Sequence, residues 1–216
     1  YCGVNAITGN LIIVDRKSLI NGNGFILGVS GSGKSLFAKR EIIALFLSTD
    51  DEIIIADPQN EYTPLVLALG GAAIDLSPTS PNHINALDLA IGYGDGDNPL
   101  IAKSEFVISL IEQLVKPNKL DAADKSIIDD CLSKIYEKYL KSNYTIAPPT
   151  LVDLHKALKS RRTNRAKELA LAIQMVSTGN LNMFAHQTNV DVHNRIVSYG
   201  IRDLGNQLRT PGMLVL

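Results

Sequence analysis

The sequence predicts an α/β fold, a mainly parallel sheet flanked by helices with an all-helical subdomain inserted into it. Three observations carry that prediction. The β-branched run Ile53-Ile54-Ile55-Ala56 ends at Asp57-Pro58 and reads as a parallel strand buried on both faces. Strand-like and helix-like segments alternate through the first hundred or so residues, the pattern of βαβ units with right-handed crossovers. From about residue 100 to 178 the periodicity is helical throughout, and strand-like alternation returns only at Arg195-Ile196-Val197-Ser198-Tyr199-Gly200-Ile201.

Taken in order, Asn10-Leu11-Ile12-Ile13-Val14 reads as a short strand, and the turn Asn21-Gly22-Asn23-Gly24 delivers the chain into a second, buried strand at Phe25-Ile26-Leu27. A glycine-rich loop follows at once. Leu36, Phe37, Ile42, Ile43, Leu45, Phe46 and Leu47 then give mixed helical spacing to about residue 48, as in a helix buried on much of its surface. The strand ending at Asp57 closes this first βαβ unit. A short helix is expected over Thr63 to Leu69 and a strand over Ala72-Ala73-Ile74-Asp75-Leu76.

The Gly/Asp-rich stretch 92 to 98 leads into the helical region. There Phe106, Val107, Leu110, Ile111 and Leu114 form one stripe, ended by Pro117. Asp121 is placed to cap a second helix, striped by Ile127, Ile128, Cys131, Leu132, Ile135, Tyr136, Tyr139 and Leu140. Thr150 caps a third through Leu158, and a fourth runs from Asn164 to Val176 before Gly179. The expected organisation is a core begun over residues 1–99, a helical insertion over 100–180 and a return to the core over 181–216.

A chain of 216 residues buries roughly 70% of its unfolded surface and needs no covalent staples. With 45% hydrophobic residues, 20% charged residues and a net charge of -1, it has the composition of a globular protein and no field that argues for wholesale nucleic-acid binding. Cys2 and Cys131 lack metal-ligand or C-x-x-C spacing and read as structural thiols in a reducing compartment. No stretch approaches 18 consecutive apolar residues, and no secretion signal opens the chain. It begins at Tyr1 without an initiator Met and closes on Met213-Leu214-Val215-Leu216, so a piece of a longer chain is expected.

Gly28-Val29-Ser30-Gly31-Ser32-Gly33-Lys34-Ser35 carries the chemistry. Its G-x-x-x-x-G-K-[ST] pattern lets backbone N–H groups curl around phosphate oxygens at a helix N-terminus, where the dipole also favours negative charge. Ser30, Gly31, Ser32, Gly33, Lys34, Ser35 and Leu36 are therefore the expected contacts to a nucleoside triphosphate, with MgATP the expected ligand. Lys34 brings a point charge to the β/γ-phosphates, a catalytic as well as a binding role, and Ser35 offers a hydroxyl to Mg²⁺. Asp57 ends its strand in a Walker-B-like pattern and could hold Mg²⁺ through water, with Glu61 four residues on as a catalytic carboxylate. The alternative is that Asp57 caps the loop before Pro58 and Glu61 merely faces solvent.

Other motifs compete with these. Asn118-Lys119-Leu120-Asp121 matches the N-K-x-D text of guanine recognition, although it follows a helical stripe rather than a buried strand; Asp121 as a helix cap is the alternative. Lys156, Lys159, Arg161, Arg162, Arg165 and Lys167 form a basic cluster, open to a nucleic-acid backbone, an acidic partner or plain solvent. His83, His155, His186 and His193 have no ligand spacing that supports zinc.

Gly3-Val4-Asn5, Thr8-Gly9-Asn10, the loop Gly28 to Ser35 with Ala38-Lys39-Arg40-Glu41, Asp57-Pro58 with Glu61-Tyr62, and Thr188-Asn189-Val190-Asp191 together resemble one family in order and spacing. It is the conjugative-transfer and type IV secretion ATPases, the VirB-four group within the HerA/FtsK class of P-loop motors, and the resemblance spans Tyr1 to Leu216. It implies a RecA-like C-terminal motor domain with an all-helical insertion, hydrolysing ATP with Mg²⁺ at the cytoplasmic, inner face of the bacterial membrane. It further implies other secretion components as partners, peripheral membrane association through the assembly, a hexameric homo-oligomer and a DNA or protein cargo. Lys34 and Ser35 correspond to the phosphate and Mg²⁺ contacts, Asp57 and Glu61 to an acidic motif beside the nucleotide. A second acidic strand, the family's Walker B, is expected beyond Leu216; Arg195, Arg202 and Arg209 are candidate trans-acting charges at a subunit interface, with ordinary surface arginines the favoured alternative. An assembly module that binds nucleotide but turns over little is the alternative function.

Overall fold

A computed structural model describes residues 3–94, 98–115 and 119–216, and its contacts divide the chain into two compact units, Tyr1–Thr49 and Asp50–Leu216. In the first unit two short strands, β1 (Gly3–Val4) and β2 (Leu11–Ile12), pair antiparallel with Gly3 opposite Ile12. Asn5 closes the turn between them: its Oδ1 accepts from Ile7 N at 2.9 Å and Thr8 N at 3.0 Å. A single 3-10 turn at Arg16–Ser18, capped by Asp15, precedes the glycine loop, and helix α1 (Lys34–Ser48) follows it.

Two expectations for this unit change. The strand expected over 10–14 shrinks to Leu11–Ile12, and Phe25-Ile26-Leu27 forms no strand at all among the described residues. A strand is defined by a ladder to a neighbour, and an apolar run does not name that neighbour. Helix α1 is also not the buried helix its composition suggested, since none of its residues is buried and Leu36, Leu45 and Leu47 are exposed. Its apolar residues are spread around the axis and define no single face.

The second unit is built on a parallel sheet of order β3-β5-β4, with β3 at Ile53–Asp57, β4 at Ala72–Asp75 and β5 at Ile196–Gly200. The last strand in sequence is the middle one in space. All five β5 residues are buried, as expected of a central parallel strand, whereas β3 and β4 each leave positions open. Helix α2 (Thr63–Ala68), as short as predicted, links β3 to β4 and packs on β4 and β5. Gly71 lets β4 start close to its neighbour, because a Cβ there would overlap the Ile196 backbone oxygen and the Val66 side chain.

Four helices fill the stretch between β4 and β5: α3 (Pro99–Leu114), α4 (Ala122–Lys141), α5 (Leu151–Ser160) and α6 (Asn164–Ser177). The starts of α4 and α5 follow the caps read from sequence, Asp121 and Thr150, and α3 has a cap of its own. Asn98 Oδ1 accepts from Leu100 N at 3.0 Å before Pro99 opens α3. Asp121 and Asp124 form a reciprocal capping box on α4, at 2.8 and 3.0 Å. Thr150 N donates to Asp153 Oδ2 at 2.9 Å on α5. Leu110, Ile111, Ile128, Leu132, Leu154, Leu158 and Ile173 meet in one core that continues through Leu76 and Leu87 to β5. Helix α7 (Gly205–Val215) closes the unit, so the apolar run at 213–216 is mostly its last turn.

Candidate nucleotide-binding loop and acidic sheet edge

The loop at 28–35 takes its shape from its glycines and its lysine. Gly31 and Gly33 sit at φ +80° and +86°, left-handed conformations that a Cβ would strain, and Gly33 is the N-cap of α1. Gly28 leaves space for Ser32, whose hydroxyl would collide with any Cβ at position 28. Lys34 folds back over the loop, its Nζ donating to Gly28 O and to Val29 O, both at 2.8 Å. Ser32 N closes an inner turn on Val29 O at 3.2 Å, and α1 gains its first regular bond where Phe37 N donates to Gly33 O at 2.9 Å. The N–H groups of the first helical turn have no intrahelical acceptors, and they carry the positive end of the helix dipole. Half-buried Lys34 and Ser35 and exposed Leu36 stand on that turn. Amides, a lysine ammonium and a hydroxyl in one curl are the donor set that a Mg²⁺-bound polyphosphate requires.

A match to the TraG P-loop domain family covers residues 11–161, more than half of the chain and the whole of this loop. The chain belongs to that family. Among solved structures this TraG P-loop domain is similar to VirB4 of Thermoanaerobacter pseudethanolicus, with a TM-score of 0.80 over 99% of this chain at 21% identity. It spans 60% of the length of that protein, and at this identity the likeness establishes the fold. No curated protein matches the chain by sequence. The α/β P-loop fold and the family expected from the sequence are thus both met.

The acidic pair of the TraG P-loop domain lies in the second unit. Asp57 ends β3 and is 1% exposed, with its Oδ2 accepting from Tyr62 N at 2.7 Å and its Oδ1 from Gln59 N at 3.2 Å. That is the loop-capping geometry, reached because Pro58 and Asn60, the latter at φ +56°, turn the chain back on the strand end. Glu61 is exposed. The sheet also gathers residues that pattern reading missed. Asp75 ends β4, Gly200 ends β5 between the two acids, and Asn60 Nδ2 donates to Asp75 Oδ1 at 3.3 Å. Gly200 is needed there, since a Cβ would press on the Asn60 amide and the Asp75 carboxylate at 2.6 and 3.1 Å. The missing signal was the strand order, because nothing local says that residue 200 lies between residues 57 and 75.

Elsewhere the structure favours the structural alternatives. Asn118 lies outside the described residues, as do Pro117 and Cys2, and Asp121 uses its carboxylate as the α4 cap. The basic cluster is half neutralised. Arg165 grips Asp124 through Nε and Nη2, both at 2.6 Å, and reaches Glu168 at 3.1 Å. Arg161 pairs with Asp130 at 2.9 Å and Lys156 with Asp153 at 3.9 Å. The guanidinium of Arg165 holds the Asp124 carboxyl below the usual carboxylate range, and burial lowers the affinity of His155 for a proton, helped by Lys159. Glu41 meets Arg16 at 2.8 Å within the first unit. The His83 and His186 rings lie 4.4 Å apart between centroids, and among the described residues no group of three or more His, Cys, Asp or Glu side chains is placed to hold a metal. Among those residues, too, no helix is long and apolar enough to cross a membrane. Cys131 is a buried free thiol.

Proposed function

We propose that this TraG P-loop domain binds MgATP through the loop Gly28 to Ser35 and acts as the motor domain of a conjugative or type IV secretion ATPase, coupling hydrolysis to transfer. The observation that carries this reading is Lys34, folded over a loop whose two left-handed glycines open directly into α1. Lys34 exchanges its two carbonyl acceptors for β- and γ-phosphate oxygens, while the amides of Gly31 to Leu36 and the Ser30 and Ser32 hydroxyls line the remaining oxygens. Ser35 offers its hydroxyl to Mg²⁺, which when bound neutralises charge on the terminal phosphates. Asp57 contributes to Mg²⁺ through water by the lone pairs not taken by Gln59 and Tyr62, and Glu61, exposed at the same loop, orients the attacking water.

The helices α3 to α6 serve as an insertion over 100–180 within a core formed by 1–99 and 181–216. The motor works at the cytoplasmic face of the bacterial membrane among other secretion components, as a homo-oligomer acting on DNA or protein. A second reading has one observation behind it. The Asp57 carboxylate is already engaged by two loop amides, as suits a nucleotide-responsive assembly module with little turnover.

Calorimetry with MgATP tests the binding claim. Lys34→Ala removes a charge-assisted contact worth about 1.5–3 kcal/mol, so affinity should fall at least roughly tenfold while thermal melting barely moves. Equal affinity for variant and parent would overturn the assignment. GTP should fail to displace bound ATP, because the Asp121 carboxylate is held by the α4 cap. Phosphate release by the parent and by Glu61→Gln then separates the two readings: turnover abolished in the variant marks the motor, and none in either marks the assembly module.

A further inference from the structure

Lys103 is a buried cation without an ion-pair partner among the described residues. It lies on α3, is 4% exposed, and sits in the wall of a cavity of about 690 Å³ in the second unit. An ammonium group has three protons to donate. Among the described residues Lys103 Nζ has one hydrogen-bond acceptor, Ala86 O at 3.4 Å, which is long for such a bond. Two aromatic faces do part of the remaining work, Tyr93 at 4.3 Å and Phe106 at 4.7 Å from ring centroid to Nζ. Asp88 borders the same cavity, but its carboxylate accepts from Asn85 Nδ2 at 3.1 Å and from the Thr188 hydroxyl, and no ion pair joins it to Lys103.

Two tyrosine hydrogen bonds hold one wall in place. Tyr139 donates to Leu89 O at 2.8 Å and Tyr136 to Leu87 O at 2.5 Å, which pins the 85–90 segment that forms one side. Tyr93, Phe106, Tyr139 and Tyr199 give the cavity aromatic sides, and Leu214 and Val215 of α7 complete an apolar end. A volume of this size, mainly apolar and with a few convergent polar groups, is that of a small-molecule site. A buried cation short of acceptors on its wall selects the charge of the occupant.

We propose that this cavity binds a small organic anion with an apolar body, its carboxylate paired with Lys103 and its body laid against the aromatic walls. No residue of the loop 28–35 lines the cavity, and the proposal does not rest on the function proposed for that loop. Desolvation lowers the Lys103 pKa to about 8, with Asp88 opposing the shift, so the charged form that an anion needs persists at neutral pH and is lost above it. The other titratable groups facing the cavity are Tyr93, Tyr139, Tyr199 and His193, and burial raises the pKa of each of these tyrosines, which keeps them neutral across the same range.

Octanoate and 1-octanol are matched probes, differing in the charged head. In calorimetry at pH 7, octanoate should bind at one site per chain and at least about tenfold more tightly than octanol, and above pH about 8 its affinity should fall by up to roughly tenfold per pH unit. Lys103→Met, similar in length and apolar, should remove the preference for octanoate. Should that variant not fold, the octanol comparison and the pH series on the parent chain decide alone, together with acetylation by acetic anhydride at pH 8 read by peptide mass, which octanoate should slow at Lys103 and not at exposed lysines. Equal affinity for the two probes, no saturable octanoate binding, octanoate affinity retained in Lys103→Met, or unprotected acetylation of Lys103 would each overturn the proposal.

Discussion

Gly33 and Asp57 show how much a single residue decides here. Gly33 caps α1 at φ +86° with nothing within 4 Å of where a Cβ would stand, so Gly33→Ala meets no neighbour and is opposed by backbone strain alone. That left-handed strain is about 1–2 kcal/mol, and the loop should relax away from its curl, lowering MgATP affinity several-fold in the same calorimetric titration without a change in the helical circular dichroism. Asp57 is the opposite case, a buried carboxylate whose value to the fold is the pair of amides it satisfies. Asp57→Ala should destabilise the second unit by about 1–3 kcal/mol in urea unfolding, since a buried amide left without an acceptor costs about that much and the exposed Gln59 can turn its N–H to water. The sequence marked both residues as functional. It could not reveal that Asp57 is already hydrogen-bonded to its own loop, because that depends on where residues 59 and 62 turn.

At the scale of elements, helices α4 and α6 are joined by an ion pair that the sequence read only as part of a basic run. Asp124 has a fully buried side chain, while Arg165 is about half exposed at 48%. The folded-state pKa of Asp124 lies below its unfolded value, so its contribution is present above roughly pH 4 and is lost as pH falls through the folded pKa. Arg165→Met should lower stability at pH 7, less than breaking a fully buried pair would because the guanidinium is half solvated, and should flatten the loss of stability as pH falls below about 4. Urea melts of parent and variant across that range check both effects; parallel pH profiles would remove the pair as the cause. The helical stretches of α3 to α6 and the caps of α4 and α5 were legible because a helix writes its buried face at a period of 3.6 residues and can write its start in a capping side chain. The strand expected at 25–27 does not form among the described residues, because a strand needs a neighbour that no local pattern specifies.

On the scale of the whole molecule, burial is unequal between the two units. From Asp50 onward a continuous core runs from β4 and β5 through α3 to α6, while no described residue up to Thr49 is buried. Native-state hydrogen exchange should therefore give the slowest amides in β5, α4 and α5, approaching global unfolding, and amides of α1 that exchange through local opening well before them. Protection of α1 equal to that of β5 in the protein alone would show that α1 is stabilised as strongly as the core.

What the sequence determined by itself was local: the glycine loop and its lysine, the helix caps, the short runs that became β3, β4 and β5, and with them the family. Each of these is encoded within a few consecutive residues, by backbone freedom, hydrogen-bond capacity or periodicity. The tertiary structure alone decided that β5 threads between β3 and β4, placing Gly200 between Asp57 and Asp75, and that Lys103 faces a cavity under two aromatic rings. Those are contacts between residues far apart in the chain, set by which surfaces exclude water together, and no local pattern records them.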